Sequence, residues 1–102
     1  MVILQGGICV CPGRVEGTLR HFKEGQQYNK NDIVILQHWL TQEVLLLKEA
    51  GALLSKAGGI TCHGSIIARE LKIPALICVD VSQLKEGQRA IVDTLEETVE
   101  LL

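Results

Sequence analysis

The middle of the chain alternates short apolar runs with segments of helical spacing, and this alternation constrains the fold more than any other feature. Residues 33–37 (IVILQ), 52–55 (ALLS) and 75–79 (ALICV) have the length of strands and few polar side chains, which is typical of strands buried on both faces. The segments between them have the lengths and end signals of helices. Because parallel strands need a crossover connection, this order predicts a parallel α/β sheet.

The first connecting segment predicts a helix of about three turns over residues 41–51, with Thr41 as its N-cap and Gly51 as its stop. In the second connecting segment Thr61 is the predicted N-cap, and Pro74 prevents continuation. The residues expected in the first turn of this second helix are Cys62, His63 and Gly64. The residues expected to form its buried stripe are Ile66, Ile67 and Leu71.

Extended segments flank this core and predict an additional β portion. Residues 2–10 and 14–22 read as two such segments joined by a turn, and residues 86–93 and 97–102 read as a closing pair of strands. With 102 residues and no linker or repeat, the chain is expected to be one α/β domain over residues 1–102. Its predicted architecture is a small central sheet with helices plus the additional β portion.

Composition excludes several classes of function. The net charge is −2 and no Lys/Arg cluster occurs, so nucleic-acid binding is not expected. No apolar run approaches the ~18 residues of a membrane span and no signal-type segment is present, which favours a cytoplasmic protein without membrane contact. The spacing of the cysteines, which are Cys9, Cys11, Cys62 and Cys78, fits neither a disulfide framework nor a metal site.

His63 is the candidate functional residue because it lies at the mouth of a predicted helix, after the glycines Gly58 and Gly59. Free N–H groups and the helix dipole favour an anion there and disfavour an imidazolium. A neutral ring keeps a lone pair that can attack phosphorus. The alternatives are an exposed polar histidine with no role and a thiol nucleophile at Cys62. Adjacent helical side chains point ~100° apart, so Cys62 and His63 cannot pair as nucleophile and base.

Residues 58–77 (GGITCHGSIIARELKIPALI) resemble the phosphohistidine signature of the phosphoenolpyruvate-utilising enzymes. This family includes pyruvate phosphate dikinase, phosphoenolpyruvate synthase, enzyme I of the sugar phosphotransferase system and the rifampicin phosphotransferases. The signature is close to G-G-x-T-[SC]-H-x-A-I-x-A-R-x-x-x-I-P-A. The positions that match it are Gly58, Gly59, Thr61, Cys62, His63, Ile66, Ala68, Arg69, Ile73, Pro74 and Ala75.

The resemblance extends over essentially the whole chain and implies the swivelling β/β/α fold of the family's mobile domain. Residues 11–17 (CPGRVEG) are similar to an early turn of that domain, and residues 84–93 to its closing hairpin. The chain also departs from residues that are common in the family at positions that this signature leaves open. Gly64 stands where alanine is common, Lys72 where glycine is common, and Glu96 and Glu97 where the last hairpin tends to have glycine.

The resemblance also implies a function. His63 would be transiently phosphorylated and would carry the phosphoryl group between an ATP-grasp nucleotide-binding domain and a domain that handles phosphoenolpyruvate, pyruvate or another acceptor. Thr61 would cap the helix and bind phosphoryl oxygens, and Gly58 and Gly59 would allow close approach. Arg69 would either contact phosphate at a partner site or brace the domain. His21 and His38 match no site of the family.

The partner domains would belong to the same longer chain or act in trans. ATP and Mg²⁺ would bind to those domains and no cofactor to this one. Alone, the domain is expected to be a monomer that turns nothing over. The alternative is a non-catalytic interaction or regulatory module that retains the fold.

Overall fold

The computed structural model describes residues 2–102, which form one mixed sheet of eight strands with two α-helices. In chain order the elements are β1 (Val2–Gln5), β2 (Ile8–Cys11), β3 (Arg14–His21), β4 (Asp32–Leu36), α1 (Thr41–Leu46), β5 (Ala52–Ser55), α2 (His63–Glu70), β6 (Ala75–Ile77), a 3-10 turn (Val81–Gln83), β7 (Arg89–Asp93) and β8 (Thr98–Leu101). The strand order across the sheet is β1-β8-β7-β3-β4-β5-β6-β2. None of the helices in residues 2–102 has the length and apolar character that crossing a membrane requires.

The predicted α/β class is confirmed. β4, β5 and β6 are parallel neighbours connected through α1 and α2, and β3 also runs parallel to β4. β7 and β8 form the expected antiparallel pair at the end of the chain. The additional β portion is continuous with the parallel strands because β7 also pairs with β3.

The first extended segment is two strands rather than one, and these strands lie at opposite ends of the sheet. β1 pairs with β8, whereas β2 pairs with β6. Only Gly6 and Gly7 separate them, so the sheet must curl until its two ends meet. Gly7 has a φ of +95°, and a Cβ there would lie 2.9 Å from the carbonyl oxygen of Ile77. Such crowding and positive φ require glycine.

Glu97, which lies in the turn between β7 and β8, forms hydrogen bonds that stabilise this closure. Its backbone carbonyl accepts a hydrogen bond from the N–H of Gly6 at 3.0 Å. Its carboxylate accepts one from the N–H of Cys9 at 3.3 Å. Glu97 has a φ of +59°. This left-handed conformation favours glycine, which explains why glycine is common in the last hairpin of the family. Here the contacts with Gly6 and Cys9 compensate for a conformation that is unfavourable for a glutamate.

Helix α1 is shorter than predicted, and Thr41 is not its cap. The helix covers only Thr41–Leu46, and its N-cap is Leu40, with no side-chain hydrogen bond. The following residues form turns, in which the N–H of Leu47 donates to Val44 and that of Ala50 to Leu47. These turns carry Leu47 and Ala50 into the core, where Val44 of the helix is also buried.

The core has two parts, one on each face of the sheet. Val34 and Leu36 of β4 pack with the helices on one face, whereas Ile33 and Ile35 pack on the other face inside the curled sheet. β4 is buried at all five positions, so its continuous apolar run is explained by burial on both faces. Helix α2 and its preceding loop are thus supported by the first part of the core.

Candidate functional site

Helix α2 begins with His63, and its N-cap is Cys62 rather than Thr61. Cys62 has extended backbone angles (φ −71°, ψ 162°) and its side chain makes no capping hydrogen bond. Thr61 lies one residue before the cap and is exposed. His63 is the first helical residue, and it is also exposed. The predicted position of the ring at the helix mouth is therefore confirmed, while the predicted cap is wrong.

The predicted apolar stripe of α2 is not its buried face. Ile66 is 41% exposed and Leu71 38% exposed, and Ile67 is half-buried. The fully buried positions are instead those with small side chains, Gly64, Ser65 and Ala68. Small residues let the helix approach the body of the domain closely, and this leaves the larger side chains outside.

The loop that leads into α2 is held by side chains of the helix itself. Gly58 has a φ of +128°, a conformation that favours glycine. The Ser65 hydroxyl donates to the carbonyl oxygen of Gly59 at 2.6 Å. The Arg69 guanidinium donates through Nη2 to the carbonyl oxygen of Ile60 at 2.8 Å. Two roles were predicted for Arg69, and this hydrogen bond provides the contact that the bracing role requires.

Trp39, which sequence reasoning did not single out, packs beneath this loop. It follows β4, is 7% exposed, and its Nε1 donates to the Ser65 hydroxyl at 2.9 Å. A Cβ on Gly64 would lie 3.2 Å from two atoms of the indole. Gly64 thus makes room for Trp39, which explains a glycine where the resemblance leads one to expect alanine. The available signal was that this is the one tryptophan in a chain poor in aromatic residues.

The end of α2 explains a second departure. Lys72 has a φ of +57° and donates its N–H to Arg69, while Ile73 donates to Ala68. These two bonds are those of a Schellman motif, whose left-handed position is usually glycine. Lys72 occupies that position. The left-handed conformation explains why the family commonly has glycine there. The packing of Ile73 and Ala68 in the core completes the motif.

The four cysteines are free thiols, and two have shifted acidity. Burial raises the pKa of the Cys62 thiol, but hydrogen bonding with the Ser65 hydroxyl and with nearby backbone groups lowers it by more, and the net pKa is below the ordinary value. Burial raises the pKa of the Cys11 thiol, and the neighbouring Cys9 adds to that rise. Cys62 is thus the more acidic of these two thiols, as its place at a helix start favours.

The other histidines do not join this site. His21 and His38 line an open cavity of about 350 Å³ together with Phe22 and Glu43, and His63 is not among its lining residues. Within residues 2–102 no group of three or more histidine, cysteine or acidic side chains is arranged to hold a metal ion. The mouth of α2 presents an exposed imidazole beside backbone N–H groups, with the Cys62 thiol at the N-cap.

Comparison with known proteins identifies the family. The model of the PEP-utilising enzyme mobile domain matches residues 28–96, which include the loop, His63 and all of α2. The chain belongs to this family. It is 32% identical over 96 residues to a probable phosphoenolpyruvate synthase of Archaeoglobus fulgidus, covering 89% of this chain and 13% of that relative. A phosphoenolpyruvate synthase of Escherichia coli is 43% identical over 53 residues, which cover 50% of this chain and 7% of the relative.

Solved structures agree with the mobile-domain assignment. A solution structure of Enzyme I (nEIt) superposes with a TM-score of 0.61 at 32% identity, over 76% of this chain and 32% of that one. Aconitase X of Thermococcus kodakaraensis superposes with a TM-score of 0.71 at 19% identity, over 100% of this chain and 99% of that chain. At that identity the second likeness shows the fold alone. The predicted resemblance and fold are thereby confirmed, and the chain spans a small part of the phosphoenolpyruvate synthases that it matches.

Proposed function

We propose that this mobile domain is a phosphoryl carrier, in which His63 is transiently phosphorylated on a ring nitrogen. The observation that carries the proposal is the exposed imidazole on the first residue of α2, within a segment that matches the PEP-utilising enzyme mobile domain. The N–H groups of a first helical turn lack intrahelical acceptors, and the helix dipole favours negative charge beside them. A phosphoryl group on His63 would add its charge at this end of the helix.

The proposed reaction consists of two displacements at phosphorus. In the first, the lone pair of a His63 ring nitrogen attacks the phosphorus of a donor. The N–P bond forms while the P–O bond to the leaving group breaks, and the leaving oxygen keeps the electron pair. In the second, an acceptor oxygen attacks the same phosphorus, and the N–P bond electrons return to the ring. The neutral ring is the reactive form in the first step because a protonated nitrogen has no lone pair.

The residues around His63 have separate roles in this proposal. Gly58 and Gly59 keep the approach to the ring free of side chains, and a Cβ on Gly59 would meet no atom within 4 Å. Thr61 is exposed and offers its hydroxyl to the phosphoryl oxygens, although it does not cap the helix. Arg69 braces the loop through Ile60, and its remaining N–H groups are available to a phosphate at a partner site.

The donor and acceptor sites of this proposal belong to other domains. The relatives named phosphoenolpyruvate synthase are several times longer than this chain, which spans 13% of one and 7% of another. The proposed partners are an ATP-grasp nucleotide-binding domain, which would hold ATP and Mg²⁺, and a domain that handles phosphoenolpyruvate, pyruvate or another acceptor. Docking to either partner is expected to be weak, because tethering raises the effective concentration into the millimolar range, about 1 mM or more.

Intact-mass measurement of phosphate uptake tests this proposal. The 102-residue chain is incubated with phosphoenolpyruvate and a phosphoenolpyruvate synthase whose own phosphoryl-accepting histidine has been replaced. We expect the mass of one HPO₃ group to be added to the wild-type chain and to His38→Ala, but not to His63→Ala. His38 is a suitable control because it is also exposed. Equal uptake by the wild type and His63→Ala, or no uptake by either, would contradict the proposal.

A further inference from the structure

The indole of Trp39 occupies space that two glycines of the site leave open. A Cβ on Gly58 would lie 2.8 Å from Cδ1 of Trp39, and a Cβ on Gly64 would lie 3.2 Å from the same atom. Gly58 precedes His63 by five positions and Gly64 follows it directly. The same buried ring therefore packs against backbone on both sides of the histidine.

A two-bond relay connects this indole to the loop. Trp39 donates through Nε1 to the Ser65 hydroxyl at 2.9 Å, and that hydroxyl donates to the carbonyl oxygen of Gly59 at 2.6 Å. Ser65 is 0% exposed and Trp39 is 7% exposed, so water does not compete freely for either bond. A hydroxyl that accepts from the indole is oriented to donate, and its donation fixes the position of the Gly59 carbonyl.

The loop has a backbone hydrogen bond of its own, from the N–H of Cys62 to the carbonyl oxygen of Gly59 at 3.2 Å, and side chains from outside the loop supply the further restraint. Gly58 and Gly59 have the widest conformational freedom of any residue type. Arg69 holds the outer side of the loop through the Ile60 carbonyl, and the Trp39–Ser65 relay holds the inner side through the Gly59 carbonyl. Phosphoryl transfer is sensitive to misplacement of the attacking atom, and an error of about 1 Å reduces such rates by about a hundredfold.

We infer that Trp39 is a positioning residue for phosphoryl transfer at His63, acting through Ser65 on the Gly59 carbonyl. The inference rests on the proposed function. Trp39 is buried and touches the back of the loop, so it contributes no surface to a docked partner. It fixes the backbone that leads into α2, and this places the imidazole on the helix mouth before a donor arrives.

The test compares initial rates of phosphate uptake for Trp39→Phe, Ser65→Ala and the double variant. Trp39→Phe removes the indole donor and keeps an aromatic ring. Ser65→Ala removes both bonds of the relay and also the 3.5 Å contact between the Ser65 hydroxyl and Sγ of Cys62. The concentration of the chain is varied against the donor enzyme, so that kcat and KM are obtained separately. We expect each single variant to lower kcat by about tenfold and to leave KM unchanged. The substitutions slow the transfer of the phosphoryl group, which kcat measures, and do not alter the docking surface, which affects KM.

Tyr28→Phe is the matched control for a general loss of core packing. The Tyr28 hydroxyl accepts from the N–H of Lys23 and donates to the carbonyl oxygen of His21, and its ring belongs to the same part of the core as Trp39. Removing this hydroxyl breaks two hydrogen bonds without touching the loop before α2. We expect kcat for phosphate uptake by Tyr28→Phe to equal that of the wild type.

The double variant decides whether Trp39 acts through Ser65. If it does, the double variant is slower than Ser65→Ala by less than about twofold, because residues of one network are not additive. Wild-type kcat in Trp39→Phe or in Ser65→Ala, or the full product of the two single effects in the double variant, would overturn the inference. Those results leave the proposed function standing, whereas no uptake by the wild-type chain removes the proposed function. Should Trp39→Phe fail to fold, the kcat of Ser65→Ala decides alone.

Discussion

Replacing Gly64 by alanine sets helix propensity against packing, and the structure predicts that packing prevails. The added Cβ would lie 3.2 Å from Cδ1 and from Nε1 of Trp39, and 3.3 Å from its carbonyl oxygen. Carbon atoms in good contact are about 3.5–4.0 Å apart, so the indole must move by a few tenths of an ångström. It is 7% exposed and hydrogen-bonded to Ser65, and it therefore cannot move without disturbing that bond.

The opposing contributions have known magnitudes. Alanine in place of glycine stabilises a helix by at most about 1 kcal/mol, and less in its first turn. Forcing an extra carbon into a packed site costs about 1–3 kcal/mol. The balance predicts that Gly64→Ala lowers the free energy of unfolding by about 1 kcal/mol. The same substitution in a Trp39→Leu background removes the indole atoms and should then raise that free energy by up to about 1 kcal/mol.

Urea unfolding followed by circular dichroism measures these differences, with the slope m compared between variants. Gly59→Ala is the matched control, because a Cβ there meets nothing within 4 Å. Its free energy of unfolding should stay equal or rise by about 0.4–1 kcal/mol through the reduced entropy of the unfolded chain. The reasoning is refuted if Gly64→Ala stabilises the wild-type chain as much as it stabilises the Trp39→Leu background.

Three further experiments concern the two ends of α2. Lys72 has a φ of +57°, and this conformation costs a non-glycine residue about 1–2 kcal/mol. Glycine avoids that cost but loses about 0.5–1 kcal/mol through the greater backbone entropy of the unfolded chain. Thermal or urea unfolding of Lys72→Gly should therefore show a gain of about 0.5–1 kcal/mol, and a loss would contradict the assignment of the Schellman motif. The lowered pKa of Cys62 and the raised pKa of Cys11 predict that, at a pH below the ordinary thiol pKa, iodoacetamide alkylates Cys62 before Cys11, because the thiolate is the reactive form. Peptide mass mapping gives the order, and the reverse order would contradict it. Cys62→Ser should lose less than about tenfold in phosphate uptake, since the proposal gives the thiol no chemical role.

The departures of this chain from the family pattern have structural partners. Gly64 is matched by Trp39, whose indole fills the space of the missing Cβ. Glu97 adopts a left-handed conformation and bonds to Gly6 and Cys9, where the two ends of the sheet meet. Lys72 adopts the same conformation without a comparable compensating contact among those described above, which is why its replacement by glycine is expected to stabilise the domain.

Local periodicity was sufficient for the class of fold. The strands β4, β5 and β6 were predicted because each is a short apolar run between segments of helical spacing, and a parallel sheet follows from that order. The motif around His63 was equally local, so its position at the start of a helix followed from the glycines before it and the proline after it. Localisation, oligomeric state and the acceptor stay predictions.

Periodicity did not determine which side of an element is buried. Ile66 and Leu71 have the spacing of an apolar stripe, yet the core accepts the side of α2 that carries Ser65 and Ala68. The reason is that Trp39, distant in sequence, occupies the place against which α2 packs. Which side chains are buried depends on the surface that the rest of the chain presents to the helix. The sequence of α2 alone does not contain that information.

The sequence by itself determined the alternation of strands and helices from β4 to β6, the family and the residue proposed to carry phosphate, since all three depend on short-range patterns. The tertiary structure alone decided that β1 and β2 lie at opposite ends of a curled sheet. The chain divides at Gly6 and Gly7 because β1 pairs with β8 and β2 pairs with β6, and both partners are distant in sequence. The tertiary structure also decided that Trp39 and Ser65 hold the loop before His63. The bond between Trp39 and Ser65 joins residues 26 positions apart, and only packing brings such residues together.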